Sequence, residues 1–368
     1  MPRFAAGRGG FNLPRINAFI KETCMQANQA YLISKPSNIF YLSGYKGEGY
    51  LLSLAERSYI ITDSRYEEQA QLEAPDCETV CIRTGVSHFD LAKDIILSHH
   101  ITAVYVEADG LTMREHDALR ALLPDDVSIS AMDGQPERMR QIKDEGEIRL
   151  IETACHVSCL AFEHIIGYIK AGMTEKQVQL ELDYYMYRNG ADKLAFDTII
   201  ASGAHGSLPH AVPGDNVIKN GDMVTMDFGA KVGGYCADMT RTVAVGKPSD
   251  EMKAVYDTVL QAHLMAEQAL CAGASCPAVD SIARDYIDEA GYKGRFGHGL
   301  GHSLGVDIHE EPRLSPASRA VLRSGMLMTV EPGIYLPGIG GVRIEDTCLV
   351  TENGYRSLIG VQKELLVL

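Results

Sequence analysis

The sequence predicts two units, an α/β unit over 1–139 and an α+β unit over 140–368 built from two pseudo-twofold halves. Three observations carry this. Over the first third, strand-like runs such as QAYLI, SYIITD and AVYVEA alternate with helical ones. Beyond them, Ile148, Ile151, Ala154, Ser158, Phe162, Ile165 and Ile169 recur at three- and four-residue steps, the stripe of one long amphipathic helix. From there the order helix, helix, acid-bearing hairpin occurs twice. That order points to an internal duplication, although no sequence identity between the halves is visible.

The elements follow in order. MPRFAAGRGGFNLPR is basic and glycine-rich without an apolar core, so it reads as a short flexible tail and not a secretory signal. QAYLI, GYLLSL, SYIITD, ETVCI and AVYVEA read as strands, with helices over Glu67 to Leu72 and His88 to Leu97, giving a mixed sheet with covering helices. The polar segment DGQPERMRQIKD places the boundary near Met139. After the long helix, Thr174 and Gln177 form a capping-box pattern that opens a second helix, running to about Asn189 and stopped by Gly190. DTIIASG is strand-like, and the loop HGSLPHAVP carries His205 and His210. Later helices span Asp250 to Leu270 and Pro277 to Ala290.

Composition narrows the function. At 368 residues and 46% hydrophobic content the chain can bury two cores. No segment reaches membrane-spanning length. The net charge of -15 argues against a nucleic-acid partner and suits small cationic or peptide substrates. Nine cysteines, odd in number and widely spread, fit a reducing cytoplasm. Cys77 with Cys81 and Cys155 with Cys159 have a CxxxC spacing, but the second pair lies among apolar residues of the long helix, where thiols act as small hydrophobes.

The chemistry concentrates in five residues, Asp227, Asp238, His302, Glu331 and Glu345. In TMDFGAKVGGYCADMTRT two strand-like runs flank Gly233-Gly234. With Val232 and Gly233 as the loop, Asp227 falls opposite Asp238 on one face. Like charges so placed repel unless a cation joins them. Glu331 and Glu345 flank a Pro/Gly-rich connection too long to fix their register. Carboxylates with one imidazole favour Mn, Co, Fe or Zn over a purely oxygen-seeking ion, and four carboxylates balance two divalent charges. A lone Asp in DFG is an ordinary strand-end residue; it is the set of five that marks a metal centre.

Competing motifs fail. HEEP lacks the second histidine of a zincin helix, since position 313 is Arg. GHGLGH has neither the GxGxxG register nor the GK[ST] ending of a nucleotide loop. Ser207 and Ser303 lie near histidines but outside a GxSxG elbow.

FDTIIASGAHGSLPHAVP, TMDFGAKVGGYCADMTRTVAVG, GHGLGHSLGVDIHEEPRLSP and TVEPGIYLPGIGGVRIEDTCLVTENG closely resemble the four signature stretches of the Xaa-Pro peptidase and creatinase family of pita-bread metallopeptidases. The resemblance runs from about Ile142 to the C-terminus. NIFYLSGY and IITDSRY extend it, more weakly, to a creatinase-like N-terminal domain. It implies an α/β creatinase-like domain followed by an α+β pita-bread catalytic domain. It implies that Asp227 binds one metal, that Asp238 and Glu345 bridge two, and that His302 and Glu331 complete the second. A bridging water or hydroxide would be the nucleophile and Glu331 the proton shuttle. His210 and His309 match substrate-side histidines, and His298 a further one.

All five ligands are present, which favours a metallopeptidase over a metal-free creatinase-like amidinohydrolase or a peptide-binding module that has lost its ligands. The extra N-terminal domain favours the proline-directed branch over methionine aminopeptidases. The reading is therefore a cytoplasmic, homodimeric exopeptidase with two divalent ions per chain, Mn2+ first and Co2+ or Zn2+ as alternatives. It removes the N-terminal residue of peptides with proline second. The alternative is an Xaa-Pro dipeptidase, which needs a cation for the product carboxylate, and Arg295 and Arg343 are the candidates.

Overall fold

The structure, a computed structural model, describes residues 15–368. Of the tail expected at the N-terminus, residues 1–14 lie outside them. The chain divides into two compact units, the first ending at Arg140 and the second beginning at Gln141.

The first unit is a six-stranded mixed sheet in the order β4-β3-β2-β1-β5-β6. Its strands are β1 (Gln29–Ile33), β2 (Tyr50–Leu54), β3 (Ser58–Thr62), β4 (Glu78–Cys81), β5 (Ala103–Val106) and β6 (Ser128–Ala131). The first three pair antiparallel, whereas β4, β5 and β6 each join in parallel. Ala30, Leu32, Leu52, Ile61 and Val104 form its core with Ile96 and Leu119 from the helices. Side chains so buried contribute about 1.5–3 kcal/mol each when large. The helices are α1 (Ile16–Glu22), α2 (Pro36–Ser43), α3 (Glu67–Glu73), α4 (His88–Ser98), α5 (Met113–Leu122) and α6 (Gln135–Arg140). Sequence reading passed over β6, whose SISA is an edge strand with little apolar content. It also passed over α5, which the Thr112/Glu115 capping box marks.

In the second unit α7 (Glu145–Ile165) starts where Asp144 caps the Gly146 and Glu147 amides. It ends one turn before Ile169, which is buried all the same. The capping box of Thr174 and Gln177 opens α8 (Glu175–Arg188), and Gly190 follows with φ 111°. Two short strands, β7 (Lys193–Leu194) and β8 (Ile199–Ser202), precede the first hairpin.

That hairpin corrects the expected register. Its strands are β9 (Met223–Phe228), β10 (Ala230–Val232), β11 (Tyr235–Cys236) and β12 (Met239–Ala244). The loop is Gly233-Gly234, with φ of 59° and 90°, because a two-residue turn with both φ positive suits two glycines and not a β-branched valine. Lys231 thus pairs with Cys236, and Asp227 with Thr240 instead of Asp238. The shift is two residues, so Asp238 stays on the face of Asp227, now as its diagonal neighbour. Gly229 is required here, since a Cβ would overlap the carbonyl oxygen of Ala237.

The second half repeats the plan. Helices α9 (Asp250–Gln268) and α10 (Cys276–Ile287) precede β13 (Gly301–Ser303), β14 (Glu310–Leu314), β15 (Leu327–Val330), β16 (Gly333–Leu336), β17 (Gly340–Arg343), β18 (Asp346–Thr351) and β19 (Gly354–Ser357). Val330 pairs with Asp346 and Gly333 with Arg343 in one unbroken antiparallel register, so Glu331 and Glu345 lie directly opposite. The two halves meet where Thr240 bridges to Glu345, the Glu345 amide donating to the Thr240 carbonyl at 3.0 Å. Val255, Val259, Ala262, Val279, Ala283, Met328 and Val350 fill the core behind.

Gly341 on β17 lets the 203–210 segment pack backbone to backbone, because a Cβ there would overlap the Gly206 carbonyl oxygen. Gly341→Ala should therefore cost about 1–3 kcal/mol in urea unfolding through overpacking, and should also lower turnover by displacing the loop that carries His210. A wild-type unfolding midpoint would show that the loop can give way.

Candidate metal centre

Each of the five residues is placed by a strand end. Asp227 lies in β9 between Ile199 and Thr240, and Asp238 leads into β12. His302 sits in β13, paired with Arg313. Glu331 and Glu345 occupy the gap between β15–β18 and β16–β17. Asp238, His302 and Glu345 are buried and bring one ligand atom each within 4.8 Å of one another. His302 Nε2 lies 3.4 Å from Glu331 Oε1 and 3.6 Å from Asp238 Oδ2. Four of the five therefore converge on one point, and Asp227 lines the same cavity.

Hydrogen bonds aim the ligands. The Thr240 hydroxyl donates to Glu345 Oε2 at 2.7 Å, and the Thr329 hydroxyl donates to Glu331 Oε1 at 3.2 Å while accepting the His302 amide at 3.0 Å. His302 Nδ1 faces the Ser303 carbonyl at 3.0 Å. A carbonyl only accepts, so Nδ1 carries the proton and Nε2 presents its lone pair to the acids. Arg343 donates to Asp227 Oδ2 at 2.6 Å.

Without a cation this arrangement is costly. Burial, then Glu345, Asp227 and Glu331, push the Asp238 carboxyl well above the ordinary range; burial, then Glu331 and Asp227, do the same to Glu345. Glu331 is raised to about 8, chiefly by burial. His302 is lowered to about 3, again by burial, which favours the neutral imidazole that a metal needs. Asp227 Oδ1 is buried with no hydrogen-bond partner, an acceptor left over for an ion. The donor set fits divalent cations.

Behind the ligands stands Arg241, buried, with all five of its N–H groups engaged. They reach the carbonyl oxygens of Thr240 (3.0 Å), Glu345 (2.7 Å), Val361 (3.0 Å) and Gln362 (2.9 Å), and Asp346 Oδ1 at 2.7 Å. A second acidic group, His263, Glu267 and Asp346, adjoins it. Lys363 Nζ already lies 2.7 Å from Glu267 and 2.9 Å from Asp346, so cations of the chain match its charge.

A cavity of about 500 Å3 opens over the acids. His210, His298 and His309 all line it, and the His309 ring meets that of His302 edge to face at 4.5 Å. His205 instead turns away to Glu175, its Nδ1 2.8 Å from Oε2. His298 Nδ1 donates to the Gly299 carbonyl at 2.8 Å, so its Nε2 accepts the Tyr335 hydroxyl at 3.0 Å. The Tyr335 oxygen in turn accepts from Arg343 Nη1 at 2.9 Å. A directed chain thus runs from cavity wall to metal ligand.

Arg343 faces the cavity, but its guanidinium is occupied by Asp227, Tyr335 and Thr240. Arg295 is exposed and not among the lining residues. Arg313 does line the cavity. Sequence reading had used it only to dismiss a zincin helix, and Glu310–Leu314, which contains it, is a strand. Tyr335 and Arg241 also went unread. Tyr335 could have been found from its place four residues after Glu331 on the returning hairpin.

Residues 149–352 match Metallopeptidase family M24, and residues 15–142 match the Creatinase/Prolidase N-terminal domain. The Uncharacterized peptidase YqhT of Bacillus subtilis is 40% identical over 338 residues, covering 92% of this chain and 95% of the relative. The Xaa-Pro dipeptidase of Pyrococcus furiosus is 36% identical over 356 residues, covering 96% and 99%. Among solved structures, the Xaa-Pro dipeptidase from Bacillus anthracis superposes with a TM-score of 0.90 at 39% identity, covering 96% of this chain and 98% of that one. The X-Pro aminopeptidase from Thermotoga maritima gives 0.88 at 36%, covering 95% and 100%.

The raised acids set a pH dependence. Metal-free, Asp238, Glu331 and Glu345 hold protons in the folded state that they release near pH 4 when unfolded. The folded state then binds more protons, so stability falls as pH rises from about 4 toward 8. Chelated protein should melt lower at pH 8 than at pH 5, and Mn2+ should raise the midpoint more at pH 8. Equal responses to metal at the two values would mean that the acids are not charged against one another.

Tyr335→Phe removes the central link of the hydrogen-bond chain. It should keep the metal content, read by elemental analysis, and lower kcat by about tenfold. An unaltered kcat would make the chain incidental.

Proposed function

This chain belongs to metallopeptidase family M24, and from that premise we propose that it hydrolyses the bond before a proline in Xaa-Pro dipeptides. The observation that carries the reading is Arg313. It lies on the cavity wall across the ladder from His302, and the one ion pair its side chain makes among the described residues is with the exposed Glu311, at 3.5 Å. A dipeptidase must bind the free carboxylate of its product, and a guanidinium suits that group. The names of the relatives from Pyrococcus furiosus and Bacillus anthracis support the same reading. It replaces our expectation from sequence that longer peptides are the main substrates. Release of the first residue from Xaa-Pro-Yaa peptides stays as the second reading, supported by the likeness to the Thermotoga maritima aminopeptidase.

In this reading Asp227, Asp238, His302, Glu331 and Glu345 hold two divalent ions, Mn2+ or else Co2+ or Zn2+. Such ions, when bound, lower the pKa of water and polarise a carbonyl. The chain's own groups do the rest. Glu331, steadied by Thr329, would take a proton from the water that attacks the carbonyl carbon and return it to the proline nitrogen as the C–N bond breaks. His210 and His309 hydrogen-bond the peptide and its developing oxyanion, and His298 is held in one tautomer beside them. Proline matters because its nitrogen has no N–H to bind. Arg343 keeps Asp227 in place. We also infer a homodimer in a reducing cytoplasm; the nine cysteines, all free, agree with that compartment. No helix among the described residues is long and apolar enough to cross a membrane.

The test is one Xaa-Pro dipeptide beside the matching tripeptide, with Mn2+. The dipeptide should be the better substrate, and Arg313→Met should raise its KM by about tenfold or more, with metal content unaltered and little change for the tripeptide. A better tripeptide, indifferent to Arg313, would establish the aminopeptidase reading instead.

A further inference from the structure

Five acids face the cavity, and four of them make up the metal centre. The fifth is Asp197. It lies in the segment just ahead of β8, where Thr198 is buried and donates to Asp183 Oδ1 at 2.5 Å, while Phe196, Asp197 and Ile199 line the cavity. Ile199 pairs with Asp227, so Asp197 lies two residues ahead of the strand that flanks Asp227. Among the described residues, no hydrogen bond or ion pair engages its carboxylate, and it is exposed. An exposed acid is ordinarily just solvated. This one sits in the substrate cavity, and Arg313, of opposite sign, lies on the other sheet that walls it.

We propose that Asp197 is a specificity residue that recognises a positive charge on the amino-terminal residue of the substrate. The proposal rests on the Xaa-Pro reading above. If Arg313 takes the carboxyl end, the amino-terminal residue lies toward the opposite wall, where Asp197 is the charged group that the metal centre leaves over. A cavity of about 500 Å3 suits a substrate of this size. The chain's net charge of -15 favours arrival of such a cation. Two sources offer the chemistry: the α-ammonium of any substrate, or the side chain of an amino-terminal Lys or Arg.

The experiment compares kcat/KM for Lys-Pro and for Met-Pro, a neutral substrate of similar length, in wild type, Asp197→Asn and Asp197→Lys, all loaded with Mn2+. If the side chain is the source, the Lys-Pro to Met-Pro ratio should fall on the order of threefold to tenfold in Asp197→Asn, and further in Asp197→Lys, where Glu-Pro should gain. If the α-ammonium is the source, both constants should fall by a common factor and the ratio should hold. Wild-type values for both substrates in both variants would overturn the role of Asp197. Wild-type turnover separates this from the reading beneath it: should the enzyme cleave neither dipeptide, the dipeptidase reading fails, and Lys-Pro-Ala against Met-Pro-Ala decides Asp197 by the same ratio. A wild type inactive on all four peptides overturns both.

Discussion

Four carboxylates gathered at the meeting edges of two hairpins are the constraint from which the rest of the catalytic unit follows. Their mutual repulsion and desolvation must be met by cations. The chain supplies one locally, Arg343 on Asp227, and leaves the remainder to bound metal. What surrounds the acids is best understood as scaffolding for a strained charge distribution. The threonine hydroxyls fix individual oxygens, the Ser303 carbonyl sets the imidazole tautomer, and Arg241 ties the strands from behind. Rigidity matters because a bound cation needs its oxygens held to about 0.5 Å.

The pattern of acids was readable from sequence for a geometric reason. Strand side chains alternate with period two, so misplacing the first hairpin loop by one residue moved the pairing by two and kept Asp227 and Asp238 on one face. A pairing shift of one would have lost the site. The second hairpin was not readable in register, since its long connection leaves the pairing open. The structure closes it by keeping one register on both sides of the gap that holds Glu331 and Glu345. The helix at Thr174 was legible from its capping box, whereas α5, capped by Thr112 and Glu115 in the same way, was passed over, as was strand β6, whose apolar content is low.

Roles that depend on long-range partners were invisible. Arg313 gains its meaning from pairing with His302, Tyr335 from the positions of His298 and Arg343, and Arg241 from carbonyls over a hundred residues downstream. None of these partnerships leaves a local spacing signal. Arg343 shows the reverse case: a free cation on paper, it proves to be tied to Asp227 and Tyr335, and the candidate for a carboxylate partner passes to a residue first noticed for not being histidine.

The carbonyls of Val361 and Gln362 that hold Arg241 lie beyond every candidate metal ligand described above. A polypeptide made from its amino end therefore carries all five ligands before it carries the segment that braces them. Until that segment emerges and docks, two of the N–H groups of Arg241 have no native acceptor, and the backbone behind Glu345 lacks its support. The brace is thus made after the acids it supports, so that a nascent chain stopped before Val361 holds the parts of the site without the frame that aligns them.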